Sequence, residues 1–224
     1  MNTSSNNAGI DFQRCVKVCG LTSERDTQLA LQAGADLFGA IAEPTSSARA
    51  FSAEEIRSLL AAAPLARRVL VTTETDPVKV SDAASQARVG LVQLCGPCRG
   101  KDFIDFPFPI LRALAVDRED EFAEWDAIAT AFVLEPCGSV GGSGRAIDTE
   151  RARDLAARRP CLIAGGLDAG NVSERVMATG RVGVDASSAL ELETGRKDSE
   201  RVRVFVTAAR SAMHAQQQKS ASCS

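Results

Sequence analysis

Apolar runs rich in Val, Ile, Leu and Phe alternate with Ala-, Arg- and Glu-rich segments of helical spacing along nearly the whole chain, and no other feature restricts the fold as tightly. A strand that leads into a helix and then into another strand returns to its sheet in parallel. The pattern predicts strands over 15–19, 36–42, 68–73, 90–95, 109–115, 130–135, 161–164 and 182–186. Helices are expected over 24–33, 53–63, 77–88, 119–126, 149–158, 170–178 and 198–213, with a weak one near 99–104, where Phe103, Phe106, Phe108 and two prolines make the connection irregular. Eight strands each followed by a helix describe an α/β fold, a single (β/α)8 TIM barrel; a doubly wound open sheet has the same local pattern and is the alternative.

Helix starts carry matching signals. Thr22 or Ser23 precedes Glu24, Ser52 stands three residues before Glu55 in capping-box spacing, and Asp76-Pro77 puts proline at a first helical position. The 224 residues suffice for one sizeable core. The barrel is expected over 13–213, between disordered tails at 1–12 and 214–224. His214, the only histidine, falls at the edge of the polar C-terminal stretch, so acid–base chemistry rests on carboxylates, thiols or lysine.

A net charge of -3 with scattered Lys and Arg forms no basic stripe, which argues against nucleic acid as a partner. No apolar run approaches the ~18 residues that span a bilayer, and residues 1–9 lack the regions of a secretory signal. A cytoplasmic protein without membrane partners is expected. Seven cysteines, several within apolar runs, read as reduced thiols in that compartment.

Barrels of this kind place chemistry at the C-terminal ends of their strands. The seventh run ends in Gly165-Gly166 and the eighth in Asp185-Ala186-Ser187-Ser188. Glycines allow backbone N–H groups close to an anion, and the serines add hydroxyl donors, so these neighbouring ends suit a phosphate. Gly142, Ser143 and Gly144, in the loop after the sixth strand, are further phosphate-binding candidates. Cys95-Gly96-Pro97-Cys98 has the spacing of a dithiol couple or half a zinc site. Its context is poor for either, because no long helix follows and only Cys19 and Cys137 could complete a metal site on that face.

Read in order, the strand ends are Lys17-Val18-Cys19-Gly20-Leu21-Thr22, the Arg49 loop, Gln93-Leu94-Cys95-Gly96, Val133-Leu134-Glu135, Ala164-Gly165-Gly166-Leu167 and Val184-Asp185-Ala186-Ser187-Ser188. This ordered set resembles the phosphoribosylanthranilate isomerase family of tryptophan biosynthesis, from about Cys15 to Ala212. The resemblance implies a cofactor-free, metal-free isomerase acting on a small phosphorylated substrate, as a monomer or homodimer. It assigns Cys19 as the base that removes the C2 proton, helped by Lys17 two residues earlier on the same face. Glu135 is the matching general acid, and Arg49 faces the anthranilate carboxylate. Gln93, Cys95 and Asp185 complete the substrate-binding set.

Three positions depart from the family pattern. Glu135 stands where aspartate is usual, Cys95 where histidine is usual, and Ala189 where glycine follows the serine pair. The extra methylene of Glu135 moves the carboxyl by ~1 Å, a displacement that can cost on the order of 100-fold. A related sugar-phosphate isomerase with another substrate, or a catalytically impaired phosphosugar-binding protein, are the alternatives these departures leave open.

Overall fold

Every expected strand forms, with ends within one residue of the expectation. The computed structural model describes residues 9–137 and 147–222. Its strands are β1 (Val16–Val18), β2 (Leu37–Ala42), β3 (Arg68–Thr72), β4 (Leu91–Leu94), β5 (Ile110–Ala115), β6 (Ala131–Glu135), β7 (Cys161–Ile163) and β8 (Gly183–Ala186). Each pairs in parallel with the next. β1 also pairs with β8, through Lys17↔Asp185, and that pairing closes the sheet. The open-sheet alternative is thereby excluded. A two-residue strand, Ala50–Phe51, adds to the end of β2, and a small antiparallel hairpin, Glu191–Glu193 with Arg196–Lys197, follows β8.

Seven α-helices surround the barrel among the described residues: α1 (Glu24–Gln32), α2 (Ala53–Leu59), α3 (Pro77–Ala87), α4 (Glu119–Trp125), α5 (Thr149–Arg158), α6 (Val172–Thr179) and α7 (Ser199–Ser222). The weak helix expected near 99–104 is only a 3-10 turn, Gly100–Phe103. In its place Phe103 packs edge-on against Phe106 and tilted against Trp125, so aromatic side chains cover the β4–β5 flank that a helix covers elsewhere. The capping signals act as read. Ser23 accepts from the Asp26 amide, Ser52 and Glu55 form a reciprocal capping box, and Asp76 caps a helix with Pro77 in its first turn.

Alternate strand residues face opposite sides, and this sorts the chain into two cores. Val16 and Val18 point out toward the helices, where Phe122, Phe132, Trp125 and Phe205 are buried. Leu37, Val69, Leu91, Leu111, Ala131 and Leu162 fill the barrel interior. The same interior alternation continues upward into polar residues: Lys17 on β1, Gln93 on β4 and Asp185 on β8 are all buried, and Glu135 closes β6.

Two boundaries differ from expectation. Phe12, assigned to the N-terminal tail, is buried in the interior cluster, a large apolar side chain plugging the lower end of the barrel. α7 runs on to Ser222 instead of stopping near 213, since Ala, Gln and Lys are good helix formers and Gln218 bonds His214 one turn back. His214 therefore sits one residue past Met213, which lines a cleft with Gly9, Ile10 and Cys15 at the end away from the polar strand termini. Among the described residues no helix is long and apolar enough to cross a membrane.

Candidate active site

The polar end is organised around one buried ion pair. Lys17 Nζ donates to both carboxylate oxygens of Asp185 at 3.0 Å, with the lysine fully buried. Burial disfavours the ammonium, but Asp185 and Cys19 together outweigh it and raise the Lys17 pKa, so the residue stays charged. Cys19, the residue just past β1, is buried and within hydrogen-bonding reach of Lys17. Opposite them Gly39 of β2 leaves the necessary space: a Cβ there would stand 3.0 Å from Cys19 Sγ and 3.1 Å from Lys17 Nζ.

The help expected from Lys17 is only partly realised at Cys19. Burial raises the thiol pKa, Lys17 pulls it down, and the charge of Asp185 raises it again, with a net upward shift. Proximity to a lysine is legible in sequence; the degree of burial and the carboxylate facing it from β8 are not. Glu135 shifts in the same direction, raised by burial and then by Asp185 against the pull of Lys17 and Arg112. A carboxyl held up in this way retains its proton nearer neutrality, as a general acid requires.

Gln93 is buried on β4, and its Nε2 donates to Sγ of Cys95, an exposed thiol just past the strand, at 3.4 Å. Gln93 Oε1 is buried without a hydrogen-bond partner among the described residues. Cys98 engages a different group, the Glu74 carbonyl at 3.7 Å, so the two thiols of this motif have separate environments. Arg112 secures the end of β4 from outside, donating to the Leu94 and Gly96 carbonyls at 3.0 and 2.8 Å.

The two phosphate-suited turns emerge from neighbouring strands, which pair through Ile163↔Val184. Gly165 and Gly166 have φ of 91° and 62°, a left-handed pair that glycine adopts readily and that suits close approach of an anion to the backbone. Asn171 steadies the turn by donating to the Gly166 carbonyl at 2.9 Å. Ser187 leads into the 3-10 turn Ser188–Leu190. Ala189 lies within it, and Arg88 is the one non-glycine with positive φ among the described residues, so the position does not require glycine. Gly142, Ser143 and Gly144 lie outside the described residues.

Arg49 is engaged by a residue that sequence reasoning missed. Its Nε and Nη2 donate to the two carboxylate oxygens of Glu191 at 2.8 and 2.7 Å. Fully buried Lys197 donates to Glu191 at 3.0 Å and to the Ser187 carbonyl at 3.1 Å. Burial opposes the Glu191 charge, yet the hydrogen bonds from Arg49 and Lys197 prevail and hold its carboxyl at about 2. Gly20, beside Cys19, makes room for this cluster: a Cβ there would meet Ser187 Oγ at 2.7 Å and Arg49 Cδ at 3.1 Å, and its φ of 66° suits glycine. Gly39, Glu191 and Lys197 are thus additions to the set. A glycine inside a strand, and charged residues just past the serine turn, were the available signals.

Comparison with known proteins gives the family and the fold. A family model described as N-(5'phosphoribosyl)anthranilate (PRA) isomerase matches residues 16–208. A relative from Halorubrum lacusprofundi, named N-(5'-phosphoribosyl)anthranilate isomerase, is 37% identical over 201 residues, covering 85% of this chain and 94% of the relative. The crystal structure of phosphoribosyl anthranilate isomerase from Thermotoga maritima superposes with a TM-score of 0.78 at 27% identity, covering 88% of this chain and 98% of that one. A solved isomerase in complex with reduced 1-(o-carboxyphenylamino)-1-deoxyribulose 5-phosphate gives 0.75 at 25% identity, with the same coverage.

Proposed function

We infer the chemistry of this site from one premise: the chain belongs to the N-(5'-phosphoribosyl)anthranilate isomerase family. It is an aldose–ketose isomerase of tryptophan biosynthesis, converting N-(5'-phosphoribosyl)anthranilate to 1-(o-carboxyphenylamino)-1-deoxyribulose 5-phosphate by an Amadori rearrangement. The observation that carries the assignment of roles is the convergence, at one barrel end, of Cys19, Glu135 and the Lys17–Asp185 pair with two anion-suited turns.

In the proposed mechanism Glu135 gives its proton to the ring oxygen as the bond from C1 to that oxygen breaks, and the nitrogen lone pair forms an iminium at C1. Cys19, as thiolate, removes the proton from C2. The C–H electron pair becomes the C1–C2 double bond, and the iminium electrons return to nitrogen. Tautomerisation of the resulting enolamine delivers a proton to C1 and leaves the ketone at C2. Lys17 stabilises the thiolate, and Asp185 fixes Lys17 in place. Arg49 takes the anthranilate carboxylate, the buried Gln93 Oε1 accepts from a sugar hydroxyl, and the phosphate rests on Gly165, Gly166, Ser187 and Ser188.

The test is a fluorescence assay that follows loss of phosphoribosylanthranilate. Turnover that Cys19→Ser and Glu135→Gln each lower, to less than about a tenth and by about 100-fold respectively, supports these roles. Binding of the reduced product without turnover by the wild-type chain identifies an impaired phosphosugar-binding protein instead.

A further inference from the structure

Glu191 has no capacity left for a ligand. Its Oε1 accepts from Arg49 Nε at 2.8 Å and from Lys197 at 3.0 Å; its Oε2 accepts from Arg49 Nη2 at 2.7 Å and from the Gly195 amide at 3.2 Å. A carboxylate offers about four lone-pair sites, so this one is saturated. Arg49 is not. Its guanidinium carries five N–H groups, and the pair with Glu191 uses the edge formed by Nε and Nη2. The other edge, one N–H from each Nη, has no partner among the described residues and is the edge that can chelate a second carboxylate. Arg49 retains some exposure, whereas Glu191 and Lys197 are buried. The three charges sum to one positive, which leaves the cluster attractive to an anion.

We propose that Glu191 is a positioning residue that holds Arg49 edge-on, presenting its free fork to the carboxylate of the substrate's aromatic ring, and that Lys197 neutralises Glu191 so that Arg49 keeps its attraction. Lys197 also donates to the carbonyl of Ser187, and Arg201 donates to the carbonyl of Glu191, so the hairpin that carries this clamp is tied to the phosphate turn and to α7. Thr22, just past the base on β1, is bound to the Gly195 carbonyl. Carboxylate recognition, phosphate recognition and the Cys19 loop are therefore joined through one small hairpin. A preset fork loses less conformational freedom on binding than a free arginine side chain. This inference rests on the assignment of Arg49 to the substrate carboxylate.

The test compares two probes by titration: reduced 1-(o-carboxyphenylamino)-1-deoxyribulose 5-phosphate, and the same compound with aniline in place of anthranilate. The wild-type chain should prefer the carboxylated probe by about tenfold or more, and Glu191→Gln should erase most of that preference while shifting the aniline probe less than about twofold. In turnover, KM should rise about tenfold with kcat within about threefold, the pattern of lost uniform binding. Since Glu191→Gln leaves Lys197 buried without its counter-charge, Glu191→Gln/Lys197→Met is the second variant; it removes one charge of each sign and should lose the preference equally. Equal weakening of both probes in both variants, an undiminished preference, or tighter binding of the carboxylated probe would each overturn the proposal. A wild-type chain indifferent to the carboxylate would instead refute the Arg49 assignment beneath it, and this proposal with it.

Discussion

Lys17 Nζ stands 3.0 Å from each carboxylate oxygen of Asp185, and the two residues face each other across the seam where the first and last strands close the barrel. The pair acts electrostatically on Cys19 and Glu135, the proposed base and acid. It stabilises the fold only while both charges are present, because each leaves water at a cost of several kcal/mol.

Lys17→Met should therefore destabilise the chain by about 3–5 kcal/mol, since it leaves the Asp185 carboxylate buried and unpaired. Lys17→Met/Asp185→Asn should recover roughly half of that loss, and both variants should be inactive. Urea unfolding followed by circular dichroism measures this. A double variant no more stable than Lys17→Met would show that packing, not charge, governs the seam.

The shifts at Cys19 and Glu135 fix the form of the pH dependence. The proposed base, Cys19, is raised above the ordinary thiol range and the proposed acid, Glu135, above the ordinary carboxylate range; with both moved the same way, the expected order keeps the carboxyl as the stronger acid. The reactive form, thiolate with protonated carboxyl, is a minority species of constant population between the two values. kcat/KM should be flat across that interval, falling below the Glu135 pKa and above the Cys19 pKa. Glu135→Gln should lower kcat by about 100-fold and remove the acid-side bend, so that residual activity climbs with pH until Cys19 ionises. Cys19→Ser should retain less than about a tenth of the activity at any pH. A thiolate absorbance lost in Cys19→Ser but titrating below neutrality in the wild type would contradict the assigned order.

The barrel was legible because its signals are periodic and repeated: alternating residues mark each strand, and caps such as Ser52 with Glu55 are local. The same periodicity places Cys19, Glu135 and Asp185 at strand ends, while the roles proposed for them come from the family resemblance. What each side chain touches is a matter of closure, which one strand does not encode. Hence the burial that raises the Cys19 pKa went unforeseen, as did the Glu191 carboxylate that holds Arg49. The aromatic patch replacing a helix after β4 was legible only as irregularity.

Gly39 illustrates a position whose meaning appears only after closure. Its missing Cβ gives space to Cys19 Sγ and Lys17 Nζ, and Asp185 pins the lysine so that it cannot retreat. Gly39→Ala should cost about 1–3 kcal/mol in stability and about 10- to 100-fold in kcat/KM through displacement of the base. Unchanged kcat/KM in a folded variant would show that the sulfur has room to move.

The phosphate turns offer the test on which the placement of the substrate depends. Gly166 has a φ of 62°, so Gly166→Val imposes both backbone strain and a side chain where an anion would approach the amides. Ser188→Ala removes one hydroxyl donor, an expected loss of ~1–2 kcal/mol in binding. Both should weaken ribose 5-phosphate and the reduced product analogue, and leave anthranilate alone nearly unchanged. Because remote binding energy positions the reacting carbons, kcat should fall with the full substrate as well. The turns leave neighbouring strands β7 and β8, so an anion soaked into crystals should contact both. Sulfate density away from both turns, with ribose 5-phosphate affinity intact in Gly166→Val, would move the phosphate elsewhere and with it the assignment of C1 and C2 relative to Cys19 and Glu135.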